Sequence, residues 1–303
     1  MLKYLVILLD DTSVSFCHYR NDKTEQRLIA YDDLKSALLW TMKENLMVQF
    51  VYPDYKLPIE YIQLIDTVDH IDIVENDSNA DITIINGIDN LTAKYQDVPV
   101  IVRTVSAEFF NYLDKLSKFS ALTIVFNDIQ NWDKTTLARY GKALYELSDK
   151  IFDRISNGKP SRINIVTDRM QLNAMNNCGA GDETITLAPD GKFYICPAFY
   201  LNGKDSVGDI HNGLDIPNAQ LYSLKYAPIC RTCDAYNCKR CIWLNSEITH
   251  EVNTPGKEQC VMAHLERNIS RQLLDRLRIN GIVKSANHIL EIDYLDPFEK
   301  LNQ

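Results

Sequence analysis

The residues best suited to chemistry in this chain are its cysteines. Seven of the eight fall between Cys178 and Cys260, in the order Cys178, Gly191-x4-Cys196, Cys230-x2-Cys233-x4-Cys238-x2-Cys241 and Cys260. A thiolate is the metal-binding form of cysteine, and soft ligands in this density suit zinc or iron–sulfur clusters. Taken alone, the two short pairs Cys230/Cys233 and Cys238/Cys241 have the spacing of a four-thiolate zinc site. That reading leaves Cys178, Cys196 and Cys260 either as buried small hydrophobes or as further ligands. No other chemistry announces itself: the chain has no Gly-rich phosphate loop, nucleophile elbow or His-Glu metalloprotease motif, so its catalytic residues are unassigned.

Composition narrows the setting. The chain has 303 residues, 46% of them hydrophobic, with only 11 glycines and 10 prolines, which describes a folded protein of one large or two ordinary domains. Its 32 basic and 41 acidic residues give a net charge of −9. With no basic run, nucleic acid is not an expected partner. The apolar N-terminal run ends at Asp10-Asp11 without a small-residue cleavage site, and it reads as a buried strand rather than a signal peptide. No stretch is long enough to span a bilayer, so no membrane partner is expected and the protein is expected to be cytoplasmic. In that compartment closely spaced cysteines are metal ligands rather than disulfides.

The elements that must position these sulfurs fall into two textures. Residues 1–168 read as a β/α domain, with strands at Tyr4–Leu9, Val48–Tyr52, Ile82–Ile85, Val98–Val102, Leu122–Phe126 and Ile163–Thr167. Helical patterns lie between them at Asp33–Leu46, Glu60–Val68, Ala107–Phe119 and Asp133–Ile155. In the first, Leu34, Leu38, Met42 and Leu46 recur at four-residue steps and are expected to form one buried stripe. Apolar strands alternating with amphipathic helices predict an α/β fold with a parallel sheet, either open or curved into a partial barrel. Residues 169–303 form the expected cysteine-rich metal-binding domain. There Pro189-Asp190-Gly191 predicts a hairpin turn, residues 200–260 are loop-rich and in need of a metal staple, and Leu265, Ile269, Leu273 and Leu277 predict a helix after Cys260.

The full array, Cys178-x12-Gly191-x4-Cys196, the central run and Cys260, resembles the SPASM domain of peptide-modifying radical SAM enzymes, which holds two auxiliary 4Fe-4S clusters. Two gaps in the central run are one residue shorter than the family's. Val207-Gly208-Asp209-Ile210 and Asn253-Thr254-Pro255-Gly256 also look like family elements. The resemblance implies that Cys230, Cys233, Cys238 and Cys260 bind one cluster, and that Cys178, Cys196 and Cys241 bind the other. The family's additional upstream cysteine has no counterpart in Asp168–Met175. The second site therefore lacks one thiolate, and three states stay open for it: absent, replaced by zinc, or a cluster with an open iron.

The same resemblance implies a degenerate radical-SAM-like β/α half. Where that family has Cys-x3-Cys-x2-Cys after its first strand, this chain has Asp10, Val14 and Cys17. One thiolate does not hold the cluster that cleaves S-adenosylmethionine. The family's Gly-Gly-Glu-Pro after the second strand is reduced here to Pro53. Cys17 and His18 then read as a strand-end pair in a packed loop, and Asp10 and Asp11 as weak site candidates. His264 reads as a helix-surface residue, with a spare metal ligand as the alternative, and Arg267, Arg271, Arg276 and Arg278 as a solvated helix face, with docking of an acidic leader peptide or partner as the alternative. In the segment from Leu9 to Tyr19, in Gln49–Pro53 and in the cysteine array the chain resembles the CXXX-repeat peptide maturase family. That implies an accessory maturation protein for a ribosomally synthesised, post-translationally modified peptide, partnered by a radical SAM peptide-modifying enzyme and a cysteine-repeat precursor peptide. Its roles would be precursor binding, electron relay through the 4Fe-4S clusters, or capture of a substrate cysteine at an open iron. The alternative is a zinc-stapled α/β binding protein unrelated to peptide maturation.

Overall fold

The computed structural model describes residues 2–238 and 240–283; residues 284–303 of the expected second domain lie outside the described residues. Seven strands, β1 (Tyr4–Leu8), β2 (Met47–Val51), β3 (His70–Glu75), β4 (Ile82–Asn86), β5 (Val100–Thr104), β6 (Ala121–Phe126) and β7 (Arg162–Ile163), pair in sequence order, all parallel. On the far side of β1, β8 (Thr184–Leu187) adds a further parallel strand and β9 (Phe193–Tyr194) closes the row antiparallel to it. The result is an open nine-stranded sheet in the order β7-β6-β5-β4-β3-β2-β1-β8-β9. Sequence pattern left open how the strands are wound. Here the order from β1 to β7 never reverses, so right-handed crossovers put their connections on one face and leave the other face for a second layer.

The connections are α1 (Tyr31–Glu44), α2 (Ile59–Ile65), the short α3 (Ser106–Asn111) and α4 (Leu113–Leu116), and α5 (Lys134–Ser156). In α1 the buried residues are Leu34, Ala37, Leu38 and Thr41, while Met42 is 66% exposed. The strict four-residue stripe fails because an α-helix has 3.6 residues per turn, so a four-residue step rotates by about 40° each time. Strand β3 escaped the sequence reading because His70-Ile-Asp-Ile-Val-Glu75 alternates polar and apolar residues instead of forming an apolar run. Only Ile163 of the expected last strand is extended; Asn164–Thr167 turns into α6.

The cysteine-rich segment begins with the expected hairpin, its turn carrying Gly191 at φ 75°. It continues through α7 (Pro197–Leu201), a small antiparallel ribbon of β10 (Gly208–Asp209) and β11 (Gly213–Leu214), then α8 (Ile242–Thr249) and α9 (Lys257–Ile279). Helix α9 starts before Cys260, not after it, and buries Ile269, Leu273, Leu274 and Leu277 against α5 residues such as Leu144, Leu147 and Ile151. Two apolar clusters make up the core and meet at β4, whose Ile84 and Ile85 belong one to each. Among the described residues no helix is long and apolar enough to cross a membrane.

Candidate metal centre

The loop after β1 is fixed before it reaches any cysteine. Asp10 is fully buried, and its carboxylate accepts from the Thr12 amide (2.9 Å), the Thr12 hydroxyl (2.7 Å) and the Tyr55 hydroxyl (2.8 Å), an Asx-type turn. Asp11 is engaged by Lys23 at 3.3 Å, by Arg27 at 3.2 Å and by the Tyr200 hydroxyl. Both carboxylates thus serve the loop's architecture. Further on, buried Arg103 from β5 donates to the carbonyls of Cys17 (3.0 Å) and Tyr19 (2.5 Å) and to Asn86 Oδ1 (2.7 Å). His18 Nδ1 lies 2.8 Å from the Phe126 carbonyl. The segment Phe16–Tyr19 is tied in this way to β4, β5 and the end of β6.

That segment covers a cavity of about 280 Å³ on one face of the sheet. Its floor is a row set by strand register: Val6 of β1 stands beside Gln49 of β2 and Thr186 of β8, with Tyr4 and Thr184 two residues back. Four sulfur-bearing residues from separate parts of the chain border it: Cys17, Cys178, Cys196 and Cys241. Cys178 precedes a tight turn whose Gly181 has φ 80° and where a Cβ would stand 2.6 Å from the Tyr222 ring, so only glycine fits. Cys196 follows β9 and caps α7; Cys241 caps α8, where its Sγ accepts from the Leu244 amide at 3.5 Å. The helix N-terminus favours negative charge on that sulfur. A hydrogen-bonding contact with Cys17, and then burial, push the Cys241 thiol well above its ordinary range, and burial does the same to Cys196.

Among the described residues, three buried polar atoms on this cavity have no hydrogen-bond partner: the Tyr19 hydroxyl, Thr186 Oγ1 and the Trp243 indole nitrogen. Tyr19 is 3% and Thr186 0% exposed. Leaving such groups unpaired costs about 1–3 kcal/mol each. Burial also raises the Tyr19 hydroxyl well above its usual range, so it stays protonated and able to donate.

The other sulfurs gather beside α9. Cys230 opens a helical turn, Cys233 Sγ accepts from the Ala235 amide at 3.4 Å, and Cys260 lies in the first turn of α9. Burial first, and then the neighbouring Cys260, Cys230 and Cys233, drive the Cys238 thiol well up; burial raises Cys230 to about 11 against the pull of Arg240. His264, expected on the helix surface, instead places Nε2 3.6 Å from Cys233 Sγ. Arg267, expected on a solvated face, pairs with buried Asp234 at 2.7 Å. The peptide between the cysteines is held by buried Arg240, which donates to the carbonyls of Tyr222 (2.9 Å) and Leu221 (3.3 Å) and to Asn253. Asn237, next to Cys238, donates to Glu266 of α9 at 3.1 Å, and Glu266 accepts from the Tyr140 hydroxyl of α5 at 2.7 Å.

Cys17, Cys178, Cys196 and Cys241 thus border one cavity, while Cys230, Cys233, Cys238 and Cys260 neighbour one another beside α9. None of the eight cysteines is in a disulfide. Among the described residues no group of three or more His, Cys, Asp or Glu side chains could hold a metal ion as placed. Tetrahedral zinc needs four sulfurs converging at about 2.3 Å. Here four thiols and three residues with unpartnered donors border a cavity of about 280 Å³, and this donor set fits a larger, acceptor-bearing group such as an iron–sulfur cluster. Beside α9 the fit is one of donor chemistry alone, four sulfurs with a histidine at their edge.

A second cavity, of about 600 Å³, opens where parallel sheets commonly bind ligands, at the carboxyl ends of the strands. Glu75, Asn86, Arg103 and Asp128 line it with the loop residues Arg20 and Lys23. Val14 also borders this cavity, Asp10 is sealed beneath the loop, and Cys17 borders the other cavity, so the three positions of the degenerate motif share no common site. Sequence reasoning missed Cys17's company, the donors Tyr19, Thr186 and Trp243, and the anchors Arg103 and Arg240. The only available signal was the unexplained Phe16-Cys17 pair.

No protein-family model matches the chain, and no curated protein matches it in sequence. Solved structures do match in fold. The structure of anSMEcpe with bound AdoMet aligns with a TM-score of 0.62 at 12% identity, covering 93% of this chain and 96% of that one. Native anSMEcpe with bound AdoMet and Cp18Cys peptide aligns at 0.61 and 13% identity, covering 91% and 99%. Streptococcus suis SuiB bound to precursor peptide SuiA aligns at 0.44 and 8% identity over 77% and 67%, a likeness that carries no argument. The chain has a radical SAM-like open α/β fold.

Proposed function

We propose that this chain is an accessory protein in the maturation of a ribosomally made peptide. It carries iron–sulfur clusters in residues 169–303, binds the precursor, and works beside a separate radical SAM enzyme without cleaving AdoMet itself. One observation carries this reading: thiols are gathered into two groups of four in a fold of the anSMEcpe type, while the positions matching the AdoMet-cleaving motif hold Asp10, Val14 and a single cysteine, Cys17. When bound, such clusters supply one-electron transfer at potentials tuned by their surroundings. Cys230, Cys233, Cys238 and Cys260 would hold one, and Cys178, Cys196 and Cys241 belong to the other. The 600 Å³ cavity at the strand ends is the proposed peptide site, since its charged rim can grip a backbone and polar side chains. A structure of the same fold holds a bound peptide, which supports a peptide-binding role in general.

The bound AdoMet of the same neighbour favours a second reading, in which the chain is itself a radical SAM enzyme. One experiment separates the two. The chain is purified and reconstituted anaerobically, then given AdoMet and a strong reductant, alone and with a partner radical SAM enzyme and precursor. The accessory reading expects brown, iron-loaded protein, no 5′-deoxyadenosine from the chain alone, and a change in product mass or yield when it joins the pair. Release of 5′-deoxyadenosine by the chain alone overturns it, and so does a colourless protein holding one zinc and no iron.

A further inference from the structure

We propose that Cys17, from the loop after β1, is the fourth thiolate of the cluster site formed with Cys178, Cys196 and Cys241, and that Tyr19, Thr186 and Trp243 donate hydrogen bonds to the sulfurs of the group held there. This inference rests on the iron–sulfur reading above and completes the site that the sequence leaves one ligand short.

Four segments far apart in the chain bring their cysteines to one cavity, and Cys17 is in hydrogen-bonding contact with Cys241 across it. Cys17 is not there by the drift of a slack loop. Arg103 holds the carbonyls of Cys17 and Tyr19 on either side of His18, and His18 is itself held at the Phe126 carbonyl. A buried arginine from the middle of the sheet thus fixes the backbone that presents this sulfur.

The orphaned donors point to the kind of occupant. An indole N–H donates and cannot accept, so what meets Trp243 must carry acceptors. The hydroxyls of Tyr19 and Thr186 are buried without partners on the same cavity. A bare cation adds no acceptor beyond the thiolates that hold it. A cluster's inorganic sulfides and its cysteine sulfurs offer acceptors to all three, and hydrogen bonds of this kind help set cluster potential. The chemistry of ligation is balanced simply. As the iron–Sγ bond forms, the Cys17 S–H bond breaks and its proton goes to solvent; no electron moves, and iron and sulfide come from the reconstitution mixture. With four protein thiolates the site has no open iron, which makes it an electron-carrying centre instead of a place for a substrate cysteine.

The test uses the full chain, reconstituted anaerobically with iron and sulfide and followed by iron content, visible absorption, Mössbauer and EPR spectra. Wild type is expected to take up about eight irons as two four-iron clusters. Cys17→Ala should lose about half of that iron or convert one cluster to a three-iron form, and Cys230→Ala should empty the other site. Iron content and spectra unchanged in Cys17→Ala overturn the proposal while leaving the cluster reading intact; a wild-type chain that binds no iron overturns both. Because a variant can fail by misfolding, the unaltered chain supplies a second measure. In loaded protein Cys17 should be shielded from alkylation together with Cys178, Cys196 and Cys241, and become reactive after chelation. Equal alkylation of Cys17 in loaded and stripped protein overturns the proposal. Trp243→Phe should leave the iron content at wild-type level and shift one cluster's potential negative; an unshifted potential removes the hydrogen-bond part of the claim.

Discussion

Cys230, Cys233, Cys238 and Cys260 come from one contiguous stretch, and their neighbours in space are largely their neighbours in sequence. Cys17, Cys178, Cys196 and Cys241 come from the loop after the first strand, from the two ends of a hairpin and from a helix cap. The first group is held by loop turns and by Asn237 reaching to Glu266 of α9. The second is held by the sheet: β8 pairs with β1, and Arg103 of β5 ties down the Cys17 loop. A group of sulfurs can thus be built by short loops closing on themselves or by a scaffold that imports each member. The two should fail differently.

Removing a sulfur from the local group is the largest perturbation. Cys238→Ala should abolish metal uptake at that site and open residues 219–256 to proteolysis, because the loops have little apolar core of their own; metal binding there is folding energy. Unchanged metal content and protease resistance would show that the loops stand without it. Next comes the scaffold's anchor. Arg103→Ala should cost about 3 kcal/mol in urea unfolding, since it removes charge-assisted hydrogen bonds to Cys17, Tyr19 and Asn86. Its iron loss should fall on the Cys17 group alone; equal loss at both groups would erase the distinction.

Gly181→Ala tests the Cys178 turn. Its positive φ and the Tyr222 ring at 2.6 Å predict a loss of about 1–3 kcal/mol, with weakened metal retention at the imported group. The smallest expected effect is Tyr140→Phe. It removes the 2.7 Å hydrogen bond to Glu266 and should cost about 1–2 kcal/mol by the same unfolding assay, with a small effect confined to the local group through Asn237.

Legibility followed the same division. Apolar strand runs such as Tyr4–Leu8 and Ala121–Phe126 were readable because a strand buried on both faces writes itself as continuous hydrophobicity. Strand β3 was not, since its charged residues ride on an alternating pattern. The hairpin at Gly191 and the helix around Leu273 were readable from local rules. His264 and Arg267 were assigned to the helix surface because one helix viewed alone cannot show what packs on it. Asp234 and Cys233, which meet them, arrive from the preceding loop.

By itself the sequence determined the parallel α/β character, the seven-cysteine array and the single cysteine in the loop after the first strand, because periodicity and close spacing are local properties of a chain. Tertiary structure alone decided that the strands wind in one direction, that β8 joins β1, and that Cys17 meets Cys178, Cys196 and Cys241 beside three unpartnered donors. The physical reason is that strand pairing is set by register and burial between segments remote in the chain, and no spacing rule spans that distance. Cys17, which in sequence looked like the remnant of one motif, stands in space beside Cys178, Cys196 and Cys241.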